Sequence, residues 1–230
     1  PSTETNPITY AGKVADETGQ PVADVRVWVQ VLSDTFRNSI LPDETLTDAD
    51  GSFHLTTSRP MEGREILRVL HFDHPEYGMG WRSLERTDPN PHDMQVTLHA
   101  PAAVAGVVVD DQDQPIQDAR IEADVRLSTD GRADQLMLWD LTDMALYASD
   151  QGTFLLDRLP APATLRLRVS AEGYALHTTA PDSSGGPFPI QAGDEDLRIT
   201  LQSGNAIAGR IVYEDGTPYH HRAVAMVEGP

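Results

Sequence analysis

Residues 8–22 read ITYAGKVADETGQPV, and the same pattern returns twice, as AVAGVVVDDQDQPI at residues 103–116 and AIAGRIVYEDGTPY at residues 206–219. In each stretch a glycine precedes a proline by the same spacing, in the pairs Gly12/Pro21, Gly106/Pro115 and Gly209/Pro218. A repeat of about 100 residues is the size of a whole domain and far longer than the units of a solenoid. The chain is therefore predicted to consist of tandem domains.

The ends of the repeats agree as well, because Leu98 and Leu201 stand at the same distance before Gly106 and Gly209. We place the first domain at residues 1–100, the second at 101–203, and the start of a third, truncated repeat at 204–230. The joints between the repeats are too short to act as flexible linkers. Because the chain begins with Pro1 and shows no signal peptide, we expect it to be a piece of a longer protein.

Alternating polar and apolar residues indicate half-buried β-strands in each repeat, as in 25–30 (VRVWVQ), 120–126 (RIEADVR) and 165–170 (LRLRVS). Asp and Gly at 47–53 (TDADGSF) and 149–154 (SDQGTF) are typical of hairpin turns between such strands. About seven short strands with turns this frequent predict an all-β fold of tandem seven-stranded antiparallel Greek-key β-sandwiches, similar to immunoglobulin folds. The stretch at 132–144 fits neither period cleanly, and we predict a short helix there.

The motif shared by the repeats resembles the carboxypeptidase regulatory-like repeat, a transthyretin-like (prealbumin-like) sandwich. The matching positions of the first repeat are Gly12, Val14, Asp16, Gly19, Pro21, Val22, Thr47, Asp48, Gly51 and Phe53, and those of the second are Gly106, Val108, Asp110, Pro115, Ile116, Gly152, Phe154, Gly173 and Tyr174. The second repeat departs from the pattern at Asp113, which replaces a turn glycine, and at Ala148-Ser149, which replaces Thr-Asp. The resemblance implies a non-catalytic accessory module of a secreted, periplasmic or cell-surface bacterial protein.

The amino-acid composition excludes some classes of binding partner. The chain has 36 Asp and Glu against 17 Lys and Arg, a net charge of −19, and no cysteine. Such an acidic chain is not expected to bind nucleic acid, which requires clustered basic residues. No apolar run is long enough to insert in a membrane. The expected partners are other domains of the same polypeptide, and a protein or polysaccharide is the further candidate.

Three functions follow from these observations. The leading interpretation is a structural spacer or protein-interaction module without catalytic activity. The alternative is a carbohydrate-binding, starch-binding-like module, for which Trp81 and Trp139 are the candidate stacking platforms. The segment around Trp139, including Leu136 and Met137, is the candidate contact patch, because loops on rigid scaffolds often carry function.

The third alternative is a metal-dependent enzyme of the intradiol dioxygenase-like sandwich, whose iron uses two tyrosinates and two histidines. The first repeat has no tyrosine between Tyr10 and Tyr77, and His71 and His74 are spaced so that a strand would place them on opposite faces. We therefore predict that the protein is not an enzyme and has no cofactor.

Calcium is the one metal that the acidic turns suggest, with Asp48 and Asp50 as candidate ligands. Calcium needs six to eight oxygen ligands. Because this loop does not supply that set, we interpret it as an Asp/Gly hairpin tip.

Overall fold

The computed structural model describes residues 7–33, 38–57, 65–85, 92–129, 132–137, 146–180 and 188–204. All regular structure in these ranges is β, and it forms four sheets. The all-β sandwich prediction is confirmed. The described residues contain no helix long and apolar enough to cross a membrane.

The first pair of sheets uses strands between residues 8 and 98. One sheet has the order β4-β1-β7 and the other has the order β3-β2-β5-β6. The strands are β1 (Ile8–Asp16), β2 (Arg26–Ser33), β3 (Asn38–Leu46), β4 (Ser52–Thr57), β5 (Glu65–Asp73), β6 (Gly80–Glu85) and β7 (Met94–Leu98). The chain thus changes sheet several times, as in a Greek key.

The second pair of sheets uses strands between residues 101 and 200. One has the order β12-β8-β16, and the other has the order β10-β9-β13-β14, with β11 on β9 and β15 on β13. The strands are β8 (Pro101–Val109), β9 (Arg120–Thr129), β10 (Arg132–Met137), β11 (Leu146–Tyr147), β12 (Thr153–Pro160), β13 (Thr164–Ser170), β14 (His177–Thr178), β15 (Ile190–Gln191) and β16 (Leu197–Thr200).

The short helix predicted for 132–144 is wrong for its first half. Residues 132–137 form β10, which pairs antiparallel with Asp124–Thr129 of β9. The local pattern at 132–137 favours neither helix nor strand clearly, and hydrogen bonding to the edge of β9 decides for a strand. Residues 138–144 lie outside the described part of the chain.

The repeated glycine is explained by a close strand contact. The last strand of each sandwich pairs parallel to the first, β7 with β1 and β16 with β8. A Cβ atom on Gly12 would lie 2.2 Å from the carbonyl oxygen of Met94, and one on Gly106 would lie 2.3 Å from that of Leu197. Only glycine allows this approach at both positions.

The turn where the second repeat departs from the pattern keeps the same backbone. Gly19 has φ +82°, and Asp113, which replaces it, has φ +63°. Asp is among the few residues other than glycine that tolerate this left-handed conformation. The substitution therefore preserves the turn, and Asp113 also pairs with Arg198.

Alternation along β2 and the residue before it places valines in the core of the first sandwich. Val25, Val27 and Val29 are fully buried, whereas Trp28 and Gln30 point to the opposite face of the sheet. The outer face would be expected to contact water, as one face of an antiparallel sheet often does. Here Gln30, Val69, His71 and Trp81 on that face are nevertheless buried. Val69 and Trp81 are buried there against the core of the second sandwich.

Candidate functional site at the junction of the sandwiches

The two residues between β7 and β8 are hydrogen-bonded to both sandwiches. The carbonyl of His99 accepts from the Gly78 amide at 3.0 Å, and the carbonyl of Ala100 accepts from the Ala161 amide at 2.9 Å. His99 is itself buried, and its Nδ1 lies 2.9 Å from a carboxylate oxygen of Glu17. This hydrogen bond lowers the pKa of Glu17. The connection is therefore held in place on both sides.

Arg158 forms the second link across the junction. Its carbonyl accepts a hydrogen bond from the Met79 amide at 2.7 Å. Its guanidinium donates to Oδ1 of Asp73 at 2.5 Å and to the carbonyl of His74 at 2.8 Å. Three contacts from one residue of β12 thus reach the last residue of β5 and the segment that follows it.

The backbone of Arg158 adopts an uncommon conformation. Its φ is +55°, and the register of β12 against β8 shifts between Leu156 and Leu159. Left-handed backbone is costly for a residue that carries a Cβ atom. The irregularity is a β-bulge, and bulges commonly redirect a strand where it meets a functional surface.

Gly78 allows the two backbones to approach each other. A Cβ atom at this position would lie 2.7 Å from the carbonyl oxygen of Leu159 and 2.7 Å from the Cα atom of Pro160. No other amino acid could occupy the position without displacing the second sandwich.

Apolar packing accompanies these polar links. Val69 and Trp81 belong to the outer face of the first sandwich, yet they join the hydrophobic cluster built from the core of the second. Trp28 and Met79 pack against the same cluster. Strand β10 of the second sandwich also lies beside β6 of the first. The junction is therefore an extension of the second core.

A stacked pair of rings lies at the centre of this face. The rings of Trp28 and His71 are 4.0 Å apart between centroids and 11° from parallel. Nε2 of His71 lies 2.9 Å from the side-chain oxygen of Gln30, which is also buried. Burial lowers the pKa of His71 to about 3, although the charge of Asp73 acts in the opposite direction. His71 is consequently neutral at physiological pH.

A cleft of about 260 Å³ opens beside this pair. Its apolar lining includes Trp28 and Met79, whereas the Phe72 side chain is fully buried in the core of the first sandwich. Its lining also includes charged residues of both signs: Arg26, Asp73, Asp157 and Arg158. The cleft belongs to both sandwiches, because Asp157 and Arg158 come from β12 and the other residues come from the first repeat.

The tryptophans predicted as stacking platforms are placed differently from Trp28. Trp81 has an exposed fraction of only 4% and offers no ring face to a ligand. Leu136 and Met137 lie on β10, and Trp139 lies outside the described residues. The alternation of Trp28 with the valines at 25, 27 and 29 predicts that it lies on the opposite face of its strand from them, and the structure shows that orientation. Its place in a cleft could not be predicted, because the second sandwich forms part of the wall.

Asp48 and Asp50 lie in the turn between β3 and β4, as expected for turn residues, but the predicted hairpin is wrong because these two strands belong to different sheets. The same correction applies to the turn at 149–154, because β11 and β12 also belong to different sheets. Oδ1 of each carboxylate accepts from the Ser52 amide, and Oδ2 of Asp50 accepts from Nζ of Lys13 at 3.0 Å. Hydrogen bonding with Asp48, and then with Ser52 and Lys13, holds the pKa of Asp50 well below its usual range. The described residues contain no group of three or more His, Asp or Glu side chains arranged to hold a metal. That this turn holds no calcium stays a prediction.

The two histidines considered for an iron site, His71 and His74, contact different residues. His71 is buried against Trp28 and Gln30, whereas the His74 ring packs edge-on against Tyr77, 5.3 Å away between centroids. The structure does not bring these two rings to a common site.

Comparison with known proteins gives fold-level similarities of low score. No family model and no curated protein matches the chain. The shaft pilin SpaA of Lactobacillus rhamnosus GG is 10% identical, covers 89% of this chain and 100% of its own, and has a TM-score of 0.34. A streptococcal ancillary pilin is 11% identical over 89% of this chain and 64% of its own, with a TM-score of 0.31. Hydroxyquinol 1,2-dioxygenase from Pseudomonas putida DLL-E4 is 15% identical over 46% of this chain and 57% of its own, with a TM-score of 0.30.

These TM-scores are too low to carry an argument about function, and the neighbours include both pilins and an enzyme. The resemblance to carboxypeptidase regulatory-like repeats stays a prediction from the sequence motif, because no family model matches.

Proposed function

We propose that the chain is a non-catalytic structural module in which successive β-sandwiches are joined rigidly, so that it spaces or presents other domains of a larger polypeptide. The observation that carries this proposal is the connector of His99 and Ala100, which is hydrogen-bonded to both sandwiches. The Arg158 contacts to Asp73, His74 and Met79 support it.

The far end of the second sandwich supports an array that continues. The Ala175 amide donates to the Gln202 carbonyl at 2.9 Å, which matches the bond between Gly78 and His99 one repeat earlier. The Gly204 amide donates to the Gly173 carbonyl at 2.9 Å. We propose domains at 1–100 and 101–203, with a third repeat beginning at 204, although residues 205–230 lie outside the described part of the chain.

The proposed location is outside the cytoplasm, in a secreted, periplasmic or cell-surface protein. It rests on the motif resemblance described above. The absence of cysteine is compatible with any compartment. The proposed partners are the neighbouring domains of the same polypeptide and the molecules that those domains contact.

Rigidity can be tested by measuring a distance between spin labels. The chain has no native cysteine, so cysteines at His54 and Gln151 would label one exposed site in each sandwich. We expect a single narrow distance distribution by electron–electron double resonance. A matched control with a Gly/Ser-rich insertion between Ala100 and Pro101 should give a broad distribution, because such segments behave as random coils. A broad distribution in the uninserted chain would contradict the proposal.

A further inference from the structure

The charges around the junction cleft suggest what it could bind. Two guanidinium groups, of Arg26 and Arg158, and two carboxylates, of Asp73 and Asp157, line the same opening. The two arginines would repel a cationic ligand, and the two aspartates would repel an anionic ligand. A neutral ligand that both donates and accepts hydrogen bonds could use both kinds of group, since guanidinium only donates and carboxylate only accepts.

The apolar part of the lining adds a second requirement. Trp28 and Met79 form an apolar wall, and a purely polar ligand would lose hydration against it without compensation. The ligand must therefore have an apolar face as well as polar edges. The volume of about 260 Å³ is just below the range of about 300–1,000 Å³ typical for drug-sized ligands, so it suits one ring.

The side chains that line the cleft are held in position without a ligand. Trp28 is held by its stack on His71, and His71 is held by Gln30. Arg158 is tied to Asp73 and His74, and Arg26 contacts Glu44 with its Nε and Nη2 atoms at 2.8 and 2.6 Å. Because these side chains are ordered already, binding would cost little conformational entropy.

We propose that this cleft binds one pyranose ring of a neutral oligosaccharide. The C–H face of the sugar lies against Trp28, and its hydroxyls donate to Asp157 and Asp73 and accept from Arg26 or Arg158. This inference goes beyond the proposed structural role and does not require it, because a rigid module without a ligand would still join its domains.

The test is isothermal titration calorimetry of the full chain with separate neutral oligosaccharides: maltohexaose, cellohexaose, chitohexaose and xylohexaose. An oligogalacturonate and a chitosan oligomer serve as the anionic and cationic probes. We expect at least one neutral sugar to bind, with affinity reduced tenfold or more by Trp28→Ala and severalfold by Asp157→Asn. Asp157 is exposed, so its substitution should leave the fold intact.

Tyr147→Ala is the matched control, because Tyr147 is an aromatic side chain on β11, 54% exposed, that does not line the cleft. This variant should bind like the wild type. The proposal is overturned if no neutral sugar binds at millimolar concentration, or if only a charged oligomer binds. It is overturned equally if Trp28→Ala and Asp157→Asn both bind with unchanged affinity.

Discussion

The ring of His71 stacks on the ring of Trp28 with their centroids 4.0 Å apart, on the face of the sheet that lies away from the valine core. In an isolated sandwich this face would contact water. Here the second sandwich covers it, and His71 retains an exposed fraction of only 5%. The stack is therefore buried because the repeats are packed together.

The first prediction concerns pH. The pKa of folded His71, about 3, lies below the unfolded value of about 6.5, so the unfolded state binds more protons between these values. The contribution of His71 to the free energy of unfolding should thus be fully present above pH 6.5 and fall as pH decreases, by about 4 kcal/mol at pH 3. Urea denaturation at several pH values measures this dependence.

The matched variant for that experiment is His71→Gln, which cannot titrate. Its free energy of unfolding should vary less with pH between 6.5 and 4 than that of the wild type. Equal slopes in the two proteins would show that His71 is not buried in the neutral form.

The second prediction concerns the glycine that defines the repeat. Gly12→Ala should lower the free energy of unfolding by about 3 kcal/mol or more, because its Cβ would overlap the Met94 carbonyl oxygen in the parallel strand pair. Gly19→Ala is the control. It has a positive φ but no atom within 4 Å of the new Cβ, so its cost should be about 1–2 kcal/mol. Equal costs, measured by urea denaturation, would rule out the steric explanation.

The third prediction concerns Thr47, whose hydroxyl is buried between two backbone groups. Its Oγ1 donates to the Val22 carbonyl at 2.8 Å and accepts from the Val25 amide at 2.9 Å. Thr47→Val should destabilise the first sandwich by about 1–3 kcal/mol, because both backbone groups lose this partner. Thermal denaturation would measure the loss. Thr47→Ser should restore most of it, and a valine variant as stable as the wild type would contradict this account.

The fourth prediction concerns the bulge at Arg158. Arg158→Ala and Arg158→Gly both remove the contacts to Asp73 and His74, but only glycine is relaxed at φ +55°. The glycine variant should therefore be more stable than the alanine variant by about 1 kcal/mol. Thermal denaturation of both variants measures the difference, and the reverse order would mean that the positive φ is not maintained in solution.

Local chemistry accounts for much of what could be predicted from the sequence. The glycine and proline of the repeat, the alternating valines and the Asp/Gly turns specify strands and turns through steric and solvation effects within a few residues of each other. The same logic explains why Asp113 could replace a turn glycine, since both residues accept a positive φ. The helix prediction failed at 132–137 because pairing with β9, and not the local pattern, decided the structure there.

The sequence by itself determined the repeat, the β class and the outward direction of Trp28, because alternation along a strand is a local property. Tertiary structure alone decided that Trp81 is buried and that Trp28 lines a cleft with Asp157 and Arg158. These residues belong to different sandwiches, and no local pattern encodes their distance. What brings them together is the packing of Val69 and Trp81 against the second core, along with the hydrogen bonds of the connector.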